Sequence, residues 1–138
     1  MEKIKILMVG NDQSVKGGIT SVIQQLLAYD WNSIGVEMSF LPTYIEDSSI
    51  KKIIFFAHAY KNIKKAIRTD KPDVVHIHMS YKGSFYRKYL IHKLCKKYDV
   101  PDVIHLHGSE FQKWYPRCQQ HVRQRWRRDR DGVKRLIS

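Results

Sequence analysis

The sequence predicts one α/β domain, a parallel sheet with helices on both faces. Three observations predict it. Short apolar runs of strand length recur through the first 108 residues. Segments of helical length or helical periodicity separate them. Each connection is long enough to cross over a sheet, which parallel neighbours require. The 138 residues suit one domain, and an apolar content of 43% suits a packed core.

In chain order, Lys3 to Gly10 reads as a buried strand ending at a glycine. Asn11 to Gly18 is a loop. Ile19, Val22, Ile23, Leu26 and Leu27 then form the single apolar stripe of a helix. Gly35 to Leu41 is a second strand, closed by Pro42. Ser48 or Ser49 caps a long helix that runs to Thr69 and is broken by Lys71-Pro72-Asp73. Val74 to His78 is a third strand. Gly83 to Lys97 is helical, with Tyr86, Leu90 and Leu94 on its apolar face. Asp102 to Gly108 is a fourth strand. In such sheets the ligand crevice lies beyond the carboxyl ends of the strands, where every unusual loop of this sequence falls.

The net charge is +12, and the last 22 residues supply +6 of it. There Arg117, Arg123, Arg125, Arg127, Arg128, Arg130 and Arg135 replace the lysines of the earlier chain, which holds only Arg68 and Arg87. The text thus divides into a domain over residues 1–115 and an Arg-rich tail over 116–138, read as helical, disordered or a frameshifted remnant. Trp114, Tyr115 and Trp126 interleave with the arginines as in single-strand binders. No nucleic-acid motif accompanies them, so nucleic acid is not the expected partner. The opening residues are too charged for a secretory signal, and no apolar run nears the roughly 20 residues of a membrane span. Cys95 and Cys118 form no CxxC pair. These features point to the cytosol. Residues 51–68 are basic and amphipathic, either a solvated helix face or a surface that lies on an anionic membrane.

Two groups of residues carry chemistry. Gly17-Gly18 precedes the first helix, where backbone N–H groups can approach a phosphate and the helix points its positive end at it. The spacing matches neither GxGxxG nor GxxxxGK[ST], and a plain flexible turn is the competing reading. His76-Ile77-His78 and His105-Leu106-His107 each present two imidazoles to one side of a sheet. As metal ligands they lack a third partner at a recognisable spacing. As core histidines, His76 and His105 would be satisfied by backbone groups. The outer members, His78 and above all His107, stand where strands give way to polar loops and can meet a sugar hydroxyl or a phosphate. Paired carboxylates at glycosidase-like positions and nucleophile–histidine arrangements are absent from the sequence.

Val15-Lys16-Gly17-Gly18-Ile19, Pro72-Asp73-Val74-Val75-His76-Ile77-His78, Ser80-Tyr81-Lys82-Gly83-Ser84 and His105-Leu106-His107-Gly108-Ser109-Glu110-Phe111 together resemble the family 4 glycosyltransferases. The resemblance covers residues 3 to 115 in order and spacing. It implies a retaining enzyme of GT-B architecture, in which two Rossmann-like domains face each other across a cleft. This chain would be the N-terminal, acceptor-side half. Gly17 and Gly18 would border the donor diphosphate. His107 would be catalytic, beside the transferred sugar and its phosphate. His78, Ser80, Tyr81, Lys82 and Glu110 would line the acceptor side. The partners implied are a nucleotide-sugar donor and a lipid-linked or polysaccharide acceptor, at the inner face of the plasma membrane, with no metal or other cofactor. The family's donor domain and its two-glutamate motif are not found in these residues. The chain alone is therefore expected not to complete the reaction. The alternative reading is a non-catalytic truncated remnant or a basic surface-binding module.

Overall fold

A computed structural model describes residues 3–80, 83–107 and 133–137. The elements run β1 (Ile4–Asn11), α1 (Gly18–Ala28), β2 (Val36–Tyr44), α2 (Ser49–Thr69), β3 (Val74–Met79), α3 (Gly83–Lys97), β4 (Asp102–Leu106) and β5 (Val133–Ile137). Every strand pair is parallel, in the spatial order β2-β1-β3-β4-β5. The Rossmann-like α/β architecture expected from the sequence is the one observed. Of the Arg-rich tail, only β5 lies among the described residues.

The two faces of the sheet differ in chemistry. Successive strand residues point to opposite sides. Leu7, Val9, Val75, Ile77, Met79, Ile104 and Leu106 form one buried cluster with Ile63 and Ile67 of α2 and with Phe85, Tyr89, Ile91, Leu94 and Cys95 of α3. Each fully buried aliphatic side chain contributes about 1.5–3 kcal/mol. The alternate residues Met8, Gly10, His76, His78 and His105 face the other side, where Ile23 of α1 packs.

Local chemistry explains the helix ends. The Ser48 hydroxyl accepts from the Lys51 amide and caps α2. Beyond α2 the chain turns through Lys71 at a φ of 48°. Asp73 then exchanges two 2.8 Å hydrogen bonds with the backbone of Lys5, which sets β3 beside β1. A buried 2.8 Å hydrogen bond from His92 Nδ1 to Asp102 Oδ2 pins α3 to the start of β4.

Two expectations are corrected. β2 does not close at Pro42 but continues to Tyr44. It is an edge strand, where the missing proline N–H breaks no ladder on the outer side. The register shifts between Gly10 and Asn11, and the Thr43 hydroxyl donates to the Gly10 carbonyl at 3.1 Å. On α3, Tyr86 and Leu90 are exposed. The buried side holds Phe85, Lys88, Tyr89, Ile91, His92 and Cys95, with Leu94. Apolar residues occur all round this helix, so no single stripe settles its orientation.

Gly10 sits where β1, β3 and α1 meet. A Cβ there would stand 2.7 Å from Ile23 Cδ1 and 3.2 Å from His78 Cβ. Ile23 is fully buried and has little room to yield. Gly10→Ala should cost about 1–3 kcal/mol by overpacking. Gly18→Ala should be close to neutral for folding, since its Cβ meets nothing within 4 Å. Urea unfolding of the two variants checks the contrast; equal midpoints would contradict the close approach at Gly10.

Candidate functional site

The strand order reverses between β1 and β3, because the chain leaves β1 outward to β2 and then crosses back. Open parallel sheets place their ligand crevice at the carboxyl ends of such a pair. Gly10 and His78 line this point, with the His78 Cβ packed beside the glycine.

The loop after β1 is built tightly. The Asp12 amide donates to the Tyr44 carbonyl, the Asp12 carboxylate accepts from the Ser14 amide, and Val15 is buried. Gly17 follows with φ 143° and ψ 175°, a conformation open to glycine alone. α1 starts at Gly18 with no side-chain cap and no acidic residue in its first turn. A Cβ at Gly17 or Gly18 would touch nothing within 4 Å. The positive end of this 11-residue helix thus has no side-chain cap and open space at its two glycines, a setting in which helices bind anions.

Across the crevice stand four imidazoles. His78 on β3 is the direct register partner of His105 on β4. The His76 and His78 rings stack at 4.4 Å, those of His105 and His107 at 4.2 Å, and those of His78 and His107 at 5.2 Å. His78 Nδ1 lies 2.9 Å from His107 Nε2, and His78 Nε2 lies 3.1 Å from the Met8 sulfur. One tautomer satisfies both contacts: His107 Nε2–H donates to His78 Nδ1, and His78 Nε2–H donates to sulfur. His107 is fixed further by its own amide, which donates to the Met79 carbonyl at 2.9 Å.

Burial and proximity keep these rings neutral. Burial, then the neighbouring imidazoles and Lys88, push His78 down to about 2. Burial, then His105, His76 and Lys88, push His107 down to about 4. Burial and His105 push His76 down to about 4, and burial lowers His105. At neutral pH the cluster thus offers N–H donors and lone pairs but no positive charge.

Lys88 of α3 is a buried amine whose charge acts on His78 and His107. Its side chain is 1% exposed, and its ammonium group has no hydrogen-bond partner among the described residues. Burial, then Arg87, push it down to about 7. Arg87 itself stacks over the Tyr44 ring at 4.7 Å, and Lys52 lies over the same ring at 5.2 Å.

The predicted site residues divide as follows. Gly17, Gly18, His78, Ser80 and His107 all lie at the carboxyl ends of the strands. Ser80 is held there by its amide, which donates to the Ser84 hydroxyl at 3.1 Å. Tyr81, Lys82 and Glu110 lie outside the described residues. His76 and His105 differ from the expectation of backbone-satisfied core histidines. His76 Nε2 and His105 Nδ1 are buried without a hydrogen-bond partner among the described residues. Each such orphan costs about 1–3 kcal/mol. Sequence reasoning missed Met8, Arg87 and Lys88. Lys88 had a signal: it is a lysine at helical spacing with Phe85, His92 and Cys95.

On α2, Lys61, Lys64, Lys65 and Arg68 line one shallow hollow with Thr69. At its other end, Ile50 and Ile53 are 71% and 70% exposed, with Ile54 beside them. No helix among the described residues is long and apolar enough to cross a membrane. Scans against known protein families and against curated proteins find no match for this sequence.

The lowered histidines and lysine fix the sign of a pH dependence. Each binds protons more tightly when unfolded, so each contributes stability that falls as pH drops below its unfolded value. For Lys88 the loss runs from about 10.5 to about 7. For His76 and His107 it runs from about 6.5 to about 4. The urea midpoint should therefore climb from pH 4 to pH 9. Lys88→Met should flatten the upper limb alone and raise the midpoint at pH 7. A wild-type midpoint that stays level from pH 7 to 9 would refute the buried, unpartnered amine.

Proposed function

We propose that this chain is the acceptor-side domain of a retaining glycosyltransferase that uses a nucleotide-sugar donor and a lipid-linked or polysaccharide acceptor. One observation carries the reading. An uncapped, glycine-started helix and a strand-end imidazole pair share the rim of a parallel sheet, at its switch point. A sugar diphosphate is the ligand whose chemistry needs both. As the sugar bond breaks, negative charge grows on the leaving diphosphate, and preorganised amides at a helix start stabilise it. His107, neutral at working pH and with its Nε2–H held by His78, turns its Nδ1 lone pair to a sugar hydroxyl as an acceptor without needing to ionise. Lys88 adds a buried cation whose protonation an incoming anion would favour. His78 orients His107 through their 2.9 Å contact and, with Ser80, faces the acceptor. Tyr81, Lys82 and Glu110 complete the acceptor side in this reading.

A lipid-linked acceptor would bring this rim to a membrane surface. α2 begins just beyond the carboxyl end of β2, so exposed Ile50, Ile53 and Ile54 stand beside the rim. The basic row Lys61, Lys64, Lys65 and Arg68 favours the second reading, a non-catalytic module that binds anionic surfaces.

Titration with a nucleoside diphosphate, followed by amide and imidazole NMR, separates the two readings. Shifts should centre on Gly17, Gly18 and His107, and Gly17→Ala should weaken binding about tenfold or more, roughly 1.4 kcal/mol. The 138 residues alone should show no sugar transfer. Shifts confined to the basic row would replace the enzyme reading with the surface module. In vesicle co-sedimentation, Ile53→Ser with Ile54→Ser should reduce binding at every lipid charge. Lys64→Glu with Lys65→Glu should abolish only the preference for anionic lipid. Loss of neither property would remove α2 from the membrane account.

A further inference from the structure

We infer that His76, His78 and His105 form a binding site for a divalent transition ion of the imidazole-binding class, with zinc as its natural probe. Each residue offers one ring nitrogen, and the three nitrogens lie within 4.8 Å of one another. All three project from β3 and β4, the central strands, so their backbones are held by the sheet. The third ligand is invisible to sequence spacing. It arrives from the neighbouring strand, because His105 is the register partner of His78.

The donor set decides the class of ion. Three imidazoles with no carboxylate and no thiolate suit zinc, copper or nickel and do not suit magnesium or calcium, which take oxygen ligands. Three histidines with a fourth position open are also a known zinc arrangement. Two of the rings have a nitrogen that nothing else uses. His76 Nε2 and His105 Nδ1 are buried and lack a hydrogen-bond partner among the described residues. His78 can join them without leaving His107. With its proton on Nδ1, donated to His107 Nε2 at 2.9 Å, its Nε2 is free for the ion. An outer partner of this kind commonly fixes a metal-ligating imidazole. The ion would then lie by the Met8 sulfur, which is 3.1 Å from that nitrogen and can serve as a weak further ligand.

The geometry demands one adjustment. Nitrogens on a tetrahedral zinc, at about 2.0–2.1 Å from the metal, stand about 3.4 Å apart. The three rings are now stacked or tilted, with interplanar angles of 25°, 13° and 33°. Closing the gap takes a turn of the His76 and His105 rings about their terminal torsions, which are soft coordinates in histidine, while His78 keeps its contact with His107. The inference is independent of sugar transfer, and diphosphate binding in metal-free buffer would stand or fall separately.

The test uses the full chain, freed of metal by a chelator and titrated calorimetrically with zinc, with magnesium as the control ion. One zinc per chain should bind, and zinc but not magnesium should raise the thermal midpoint. His76→Asn and His105→Asn should each weaken binding about 100-fold or more, while His58→Asn, at an exposed site on α2, should not. Imidazole NMR of the unaltered chain gives a second measure that needs no folded variant. Zinc should move the ring signals of His76, His78 and His105 before those of His58. Absence of saturable binding, ring shifts led by His58, or full affinity in both triad variants would overturn the site.

Discussion

The parallel register between β3 and β4 governs most of what this domain can do. It pairs His78 with His105 and, through the period of two, sets four imidazoles on one face. The same alternation sends Val75, Ile77, Met79, Ile104 and Leu106 to the opposite face, into the core under α2 and α3. One pair of strands therefore supplies both the centre of the apolar core and a compact polar floor. A shift of one residue would exchange the two sets, burying imidazoles among aliphatic side chains and exposing the core. The register is thus specified by the cost of burying polar rings in the wrong place as much as by the gain from apolar contact.

Gly10 couples this floor to the helix that begins the opposite wall. Its missing side chain lets Ile23 of α1 and His78 of β3 approach the same backbone. The glycine turn at Gly17 and the imidazole pair are consequently parts of one packed unit, not two loops that happen to lie close. Movement of α1 would press on the Gly10 backbone that His78 also packs against, and through the 2.9 Å contact would reach His107. The charge pattern agrees with this coupling. Neutral rings and a buried amine stand beside a helix start without a side-chain cap, and the Asp12 carboxylate is already engaged by Ser14, which favours an anion over a cation at the glycine end.

Much of this was legible in the sequence, for reasons that can be named. The strands and helices of the first 107 residues follow from apolar runs and their periods, and the two His-x-His pairs were read correctly as sharing a face. What remained hidden depended on contacts between distant segments. The register partner of His78 lies 27 residues away, so a three-histidine group could not be seen from spacing within either pair. On α3, Tyr86, Leu90 and Leu94 offered a stripe as plausible as the buried one. Only packing against β3 and β4 chose Phe85, Tyr89 and Ile91 instead, and carried Lys88 inward with them. Pro42 looked like a strand end because its edge position could not be known before the strand order was.

An amine and two imidazole nitrogens buried without hydrogen-bond partners among the described residues lower stability and return nothing to packing. The core on the other face is continuous and closely filled, so the fold does not need these polar groups to exist. Apolar residues of the same size would serve folding better. Such groups make physical sense when a ligand completes them: an anion for Lys88 and the α1 amides, and an electron-pair acceptor for the nitrogens of His76 and His105.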